Sequence, residues 1–175
     1  MPALPKKPMC NVCTCGSHVW APLTRWGVVL SSFEDRYLLE GYFWTAIKRG
    51  YKNKLFYAAS SRFKRTYGIY QLHLAILRTS SYVDHINLNG LDCRRSNLRP
   101  ATRSQNAQHS RSVPGSSSKY LGVWRQDEMW RAEIKNGKKR CYLGIFREEV
   151  DAALAYNFAA AELNREFASF NVTAA

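Results

Sequence analysis

VDHINLNGLDCRRSNLRPATRSQN, residues 83–106, gathers Asp84, His85, Asn97 and Asn106 into one short basic stretch, and its reading decides the fold of the chain around it. Asn89-Gly90 is a strong reverse-turn pair, because both residues accept positive φ, and it separates the extended-looking runs 82–86 and 94–98. A β-hairpin is expected. After Pro100, Thr102 and Gln105 have capping-box spacing, which predicts a short helix with Asn106 about one turn in.

These side chains suit hydrolysis of a phosphodiester, which needs a base to deprotonate water and a cation to stabilise charge on the phosphate and departing oxygen. His85 can serve as the base, since an imidazole titrates near neutral pH. Asp84 and Asn106 offer hard oxygen ligands, which favour magnesium or manganese over zinc and leave positions for water and phosphate. On a regular strand Asp84 and His85 point to opposite faces, so they share a site only at an irregular strand end. Singly, such residues usually serve the backbone in turns; their joint spacing carries the reading.

With those residues, the stretch resembles the ββα-metal core of HNH endonucleases, close to homing enzymes of phages and mobile elements. The resemblance implies His85 as general base and Asp84 and Asn106 as metal ligands. It also implies that Asn97 is the middle asparagine, bracing the hairpin through backbone hydrogen bonds. Leu88 stands where relatives often have glycine, and Cys93 where many have asparagine. Neither change removes a proposed catalytic group.

The 175 residues suffice for one domain or two small ones, and 46% hydrophobic with 13% aromatic content argues against a disordered chain. The chain has no run of about eighteen apolar residues, and its first residues lack the apolar core of a signal peptide. The expectation is a cytoplasmic, non-secreted protein with no membrane partner, in the host cytoplasm if phage-encoded. A formal charge of +13 and a pI near 9.8 point to a polyanion, double-stranded DNA above all. Residues 1–118 hold 17 Lys and Arg against 5 Asp and Glu, whereas residues 119–175 hold 9 against 8. Phosphate attraction is therefore assigned to the first part.

Five cysteines without an export signal suggest reduced thiols. Cys10, Cys13, Cys15 and His18 have zinc-ligand chemistry, but they fall within nine residues, whereas structural zinc sites usually take two knuckles joined by a longer loop. Residues 1–18 are accordingly read as a cysteine-containing tail, not a structural zinc site.

Residues 19–78 read as a small α+β region, with strands at 26–30, 56–59 and 67–71 and an amphipathic helix at 33–42. The stretch WAPLTRWGVVLSSFEDRYLLEGYFW resembles the strand-helix-strand preface of phage HNH relatives. Lys48, Arg49, Lys52, Lys54, Arg62, Lys64 and Arg65 interleave with aromatics and no acid, which predicts a face for the DNA backbone. Arg94, Arg95 and Arg99 extend that basic set within the hairpin. His73 lies in an apolar run and is a candidate neighbour of the active site.

The core at 79–111 is followed by a Pro-, Gly- and Ser-rich linker at 112–118 and a module at 119–171. In the module, runs 120–125, 130–135 and 140–144 predict three antiparallel strands, with Trp130, Ala132 and Ile134 inward and Arg131, Glu133 and Lys135 outward. Residues 148–163 predict a covering helix whose stripe is Ala152, Ala153, Tyr156, Ala159, Ala160 and Leu163. KYLGVW, WRAEI, KKRCYLGIF and EEVDAALAYNFAA together resemble the APETALA/ethylene-response-factor-type DNA-binding domain. The resemblance implies that the outer sheet face enters a major groove, with Lys135, Arg140 and Tyr142 at contact positions and Arg125, Gln126 and Arg131 on the same face. Leu121 and Trp124 replace arginines of plant members, so the plant sequence preference does not carry over.

The expectation is thus an α+β, metal-dependent DNA endonuclease of the homing type, using magnesium or manganese. One active site per chain makes a monomer a nicking enzyme, with dimerisation on DNA a route to a double-strand break. The alternatives are a DNA-binding regulator without cleavage and, less favoured, an RNA binder.

Overall fold

A computed structural model describes residues 8–49, 55–68, 70–110, 112, 115–137 and 139–173. The fold is α+β, with several small sheets and five α-helices among the described residues. It divides into two compact units, Met1–Ala101 and Thr102–Ala175. The division falls ahead of segment 112–118, at the N-cap of the helix that the sequence grouped with the hairpin.

The first unit runs β1 (Asn11–Val12), β2 (His18–Pro22), β3 (Val28–Ser32), α1 (Arg36–Gly41), β4 (Thr45–Arg49), β5 (Leu55–Ala59), α2 (Ser61–Tyr67), α3 (Leu72–Ile76), β6 (Val83–His85), β7 (Asp92–Cys93) and β8 (Leu98–Pro100). β1, β2 and β3 form an antiparallel meander, and β7 joins its far edge in parallel through Leu30↔Asp92 and Ser31↔Cys93. In β2, strict alternation buries Val19 and Ala21 and exposes Trp20. Those residues meet Val29, Leu39, Trp44, Leu72, Ile76 and Cys93 in one core. Trp44 also donates its indole N–H to the Leu38 carbonyl at 2.9 Å, so its polar atom is satisfied inside.

Among the described residues, the strand expected at 67–71 does not form. Tyr67 instead ends α2, a helix capped by the Ser60 hydroxyl and closed by Gly68 at φ +73°, and only Gln71 bridges to Ala59. Phe63 is the sole buried residue of α2, so the sequence there carries almost no helical hydrophobic period. The pairs β1–β2 and β4–β5 place residues 11–12, 18–22 and 45–49 in strands that the sequence reading left unassigned.

The second unit runs α4 (Arg103–Gln108), β9 (Val123–Gln126), β10 (Met129–Asn136), β11 (Lys139–Phe146) and α5 (Glu149–Asn164). The antiparallel sheet, in order β11-β10-β9, packs Val123, Ala132 and Ile134 against Ala152, Ala153, Tyr156 and Ala160 of α5. Alanines let helix and sheet approach closely. Gly122, at φ +74°, permits the closest approach, since a Cβ there would lie 2.3 Å from the Tyr156 ring. Leu163 departs from the expected stripe: it is exposed, and Asn164 is buried instead. Asn171 fastens the end of the described chain by exchanging hydrogen bonds with the Leu121 backbone and with Asn157.

Candidate functional site

The hairpin around residues 83–106 is built differently from the simple turn its sequence suggests. β6 pairs with β8 through Asp84↔Arg99 and His85↔Leu98, leaving residues 86–97 as the connection. Residues 94–98 are not one extended run, because Arg95–Asn97 is a 3-10 turn and β7 is drawn away to β3. Neither Asn89 nor Gly90 takes positive φ among the described residues; Leu88 does, at φ +58°. Gly90 is needed for packing, since a Cβ would lie 2.4 Å from the Phe56 carbonyl oxygen and 2.7 Å from the Tyr57 ring.

Asparagine side chains hold this connection. The Asn97 amide donates to Asn87 Oδ1 at 3.0 Å and to the Asp92 carbonyl at 2.7 Å, and its own oxygen accepts from the Asn87 backbone at 2.9 Å. Asn87 in turn donates to Asp92 Oδ2 at 2.8 Å. Burial raises Asp92, but hydrogen bonds from Arg94 and Asn87 and the Arg94 charge outweigh it and hold its carboxyl below the ordinary range. Asn87 and Asp92 were missed in the sequence, where the turn reading treated them as flanks.

Asp84 and His85 end β6, and both are buried. Arg99 donates to Asp84 Oδ2 at 2.7 Å from the neighbouring strand. The His85 ring lies 4.8 Å edge-on from His73 and 5.7 Å from Tyr57, centroid to centroid, while Tyr57 also lies 5.5 Å from His73. His73 is therefore brought beside His85. Tyr57 completes the group; its position in an apolar strand gave no sign of this.

Burial lowers His85 to about 4, against the opposing pull of Asp84 and Asp92. Burial and then His85 itself lower His73 to about 3. Both rings are neutral at pH 7. Among the described residues, His85 Nε2 and His73 Nδ1 are buried without a hydrogen-bond partner. The buried Asp84 carboxylate is a hard donor of the kind that magnesium or manganese accept, and the unpaired imidazole nitrogen beside it can take a proton from water.

Asn106 belongs to the second unit, half-buried on α4. The predicted capping box is present there: Thr102 Oγ1 accepts from Gln105 N at 3.2 Å, and Gln105 Oε1 accepts from Thr102 N at 2.8 Å.

The hairpin arginines are engaged inside the first unit. Arg94 forks onto Asp92, and Arg95 forks onto Asp35 while also reaching Glu34 and the Ile76 carbonyl. Lys48, Arg49, Arg62, Lys64 and Arg65 are exposed, whereas Lys52 and Lys54 lie outside the described residues.

In the second unit, Arg131 organises the outer sheet face. Its guanidinium lies 4.9 Å from the Tyr142 ring and 5.8 Å from the Trp124 ring, and it bonds Glu133 and Gln126. Lys135 and Arg140 pair across β10 and β11 on that face, and Arg140 lies 3.7 Å from Glu133. A register shift between Ala132 and Glu133 keeps Tyr142 aligned with them. Arg125 does not belong to this group: it pairs opposite Trp130, on the helix side, with its guanidinium 6.0 Å from that ring. Trp124 takes its place, because alternation along β9 reverses the two.

At the start of the chain, the β1–β2 turn brings Cys13, Cys15 and His18 together, with their ligand atoms within 4.8 Å of one another. Hydrogen bonding with Ser17 and then Cys13 lowers the Cys15 thiol to about 6. Cys10 is not in the cluster, and burial and then Glu40 raise its thiol. No described helix is long and apolar enough to cross a membrane.

Residues 81–108 match a protein family described as HNH endonuclease. That span includes β6, the asparagine-braced connection, β8 and α4, so the match supports a nuclease acting on DNA. No curated protein matches the chain.

Proposed function

We propose that the protein is a divalent-metal-dependent DNA endonuclease whose general base is His85. The observation that carries this reading is the buried, neutral His85 at the end of β6, one residue from the buried carboxylate of Asp84, inside the matched segment. His85 takes a proton from the attacking water through its unprotonated ring nitrogen, and His73 and Tyr57 hold the ring in place. Asn97 keeps the connection that follows His85 rigid through its hydrogen bonds to Asn87 and Asp92. Asp84 would hold magnesium or manganese, which when bound supplies charge stabilisation at the phosphate and the departing oxygen.

The sheet face carrying Arg131, Lys135, Arg140, Tyr142 and Gln126 acts as the target-reading surface, in the manner of the APETALA/ethylene-response-factor-type domain that its sequence resembles. Lys48, Lys52, Lys54, Arg62, Lys64 and Arg65 add phosphate contacts. A single site per chain nicks one strand, consistent with a homing role on a phage or mobile element. A second reading, a DNA-binding regulator without cleavage, is favoured by one observation: Arg99 holds the Asp84 oxygen that a metal would need.

Supercoiled-plasmid cleavage separates the two. Nicking is expected with magnesium or manganese, lost with EDTA and reduced by about a hundredfold or more in His85→Ala, the usual scale of general-base removal. A folded protein that binds DNA but never nicks it, candidate phage targets included, would establish the regulator.

A further inference from the structure

The β1–β2 hairpin has a chemistry that the nuclease reading does not use. Its tip is a tight turn in which Cys13 N donates to the His18 carbonyl at 2.9 Å and Gly16 N to the Cys13 carbonyl at 2.8 Å. Gly16 adopts φ +70°, which brings the chain back within five residues. The turn aims three soft donors at one point. Cys15 Sγ lies 3.0 Å from Cys13 Sγ and 3.5 Å from His18 Nδ1.

We propose that Cys13, Cys15 and His18 form a zinc site that clamps this hairpin, separate from the oxygen-ligand site at Asp84. With Zn–S near 2.3 Å and Zn–N near 2.0–2.1 Å, tetrahedral coordination separates two sulfurs by about 3.8 Å and a sulfur from a nitrogen by about 3.5 Å. The sulfur-nitrogen pair already has that spacing, and the two sulfurs need only a small rotation apart. Thiolate and imidazole together select zinc over magnesium or manganese. Three protein ligands leave a fourth position for water, and the turn is exposed enough to admit it.

Short spacing argued against zinc in the sequence because two knuckles were assumed, whereas a single turn supplies all three donors. Ser17 Oγ, 3.2 Å from His18 Nδ1 and 3.0 Å from Cys15 Sγ, lines the same point. The other convergent group of cysteine and histidine among the described residues, His73, His85 and Cys93, contains the proposed nuclease base, and its buried sulfur faces the Gly90 carbonyl.

The site has a structural consequence. His18 pairs with Ser32, whose hydroxyl accepts from Arg95 N at 2.9 Å, so an ion there fixes the end of the sheet from which the HNH arginines project.

The test is cobalt and zinc titration of the full chain, reduced and stripped of metal. One cobalt per chain is expected, with the sulfur-to-cobalt charge-transfer band and intense visible bands of a tetrahedral thiolate site, displaced by zinc. Zinc should raise the melting temperature. Cys15→Ser and His18→Ala should each weaken zinc at least tenfold, while Cys10→Ser and Cys93→Ser keep it. Near-ultraviolet dichroism of each metal-free variant identifies any that has unfolded, and His18→Asn serves where His18→Ala has. Absence of the thiolate band in the wild type, its survival in Cys15→Ser, or its loss in a folded Cys93→Ser would overturn the proposal. Plasmid nicking plays no part in these readouts, so they stand or fall independently of the nuclease reading.

Discussion

Arginine is used in two opposite ways in the two halves of this chain. In the first unit, Arg94 and Arg95 fork onto Asp92 and Asp35, and Arg99 holds Asp84 Oδ2, all three carboxylates having almost no solvent exposure. In the second, Arg131 and Arg140 share Glu133 on an open sheet face, and the Arg140 side chain is 75% exposed. A guanidinium locked to a buried carboxylate is part of the framework, because its removal strands a charge in the interior. One on an open face can exchange its partner for a phosphate or a base edge. Charge counting by sequence therefore overstates the cation that the hairpin presents to DNA and understates what the nearly neutral stretch 119–175 presents in one plane.

The largest effect expected from this contrast is at Arg95. Arg95→Ala leaves Asp35, 1% exposed, without its fork, and should cost about 3 kcal/mol in urea denaturation. A loss under about 0.5 kcal/mol would break the comparison by making Arg95 an ordinary surface cation.

Acid should sharpen the same distinction between framework and face. His73 and His85 have folded values of about 3 and about 4, below the ordinary 6.5, so the unfolded chain binds protons that the folded chain excludes. Their stability is fully present above pH 6.5 and is lost as pH falls toward 4 and then 3. The slope is at most about 1.4 kcal/mol per pH unit for each ring. Melting of the first unit, followed in EDTA from pH 7.5 to 4.5, checks this, and a flat profile would mean that the rings are already hydrated.

Leu88 tests whether the connection itself is strained. It holds φ +58°, a region that penalises a side chain, and Leu88→Gly should raise stability by up to about 1 kcal/mol in the same denaturation assay. A loss would show that its half-buried side chain outweighs the backbone.

The smallest stability change is expected on the open face. Arg140→Ala should move unfolding by less than about 0.5 kcal/mol, yet lower the salt slope of DNA binding by about 1 if it meets a phosphate. An unchanged slope would detach this face from DNA.

How much of this was legible depended on how local each signal was. The capping box of Thr102 and Gln105 and the alternation of Trp130, Ala132 and Ile134 read correctly, because partners three residues apart in a helix or two apart in a strand are written adjacently. The hairpin register did not: Asn89-Gly90 suggested a short turn, but Asp92 and Cys93 pair with β3, some sixty residues earlier in the chain. Helix α2 was illegible because its stability comes from two caps and one phenylalanine. Arg125 was placed on the wrong face because the resemblance set it beside its neighbour Gln126, whereas adjacent strand residues face opposite sides and the pairing with β10 decides which is which.

The sequence alone determined the α+β class and the concentration of Asp84, His85, Asn97 and Asn106 into one segment, since these follow from composition, periodicity and spacing along the chain. Only the tertiary structure decided that Tyr57 and His73 enclose His85, that Asp84 is paired with Arg99, and that three early cysteine and histidine donors meet at one turn. The physical reason is the same in each case. Burial, ion pairing and metal-ligand geometry depend on distances across elements, and those distances are set by which strands pair and which side chains fill the core.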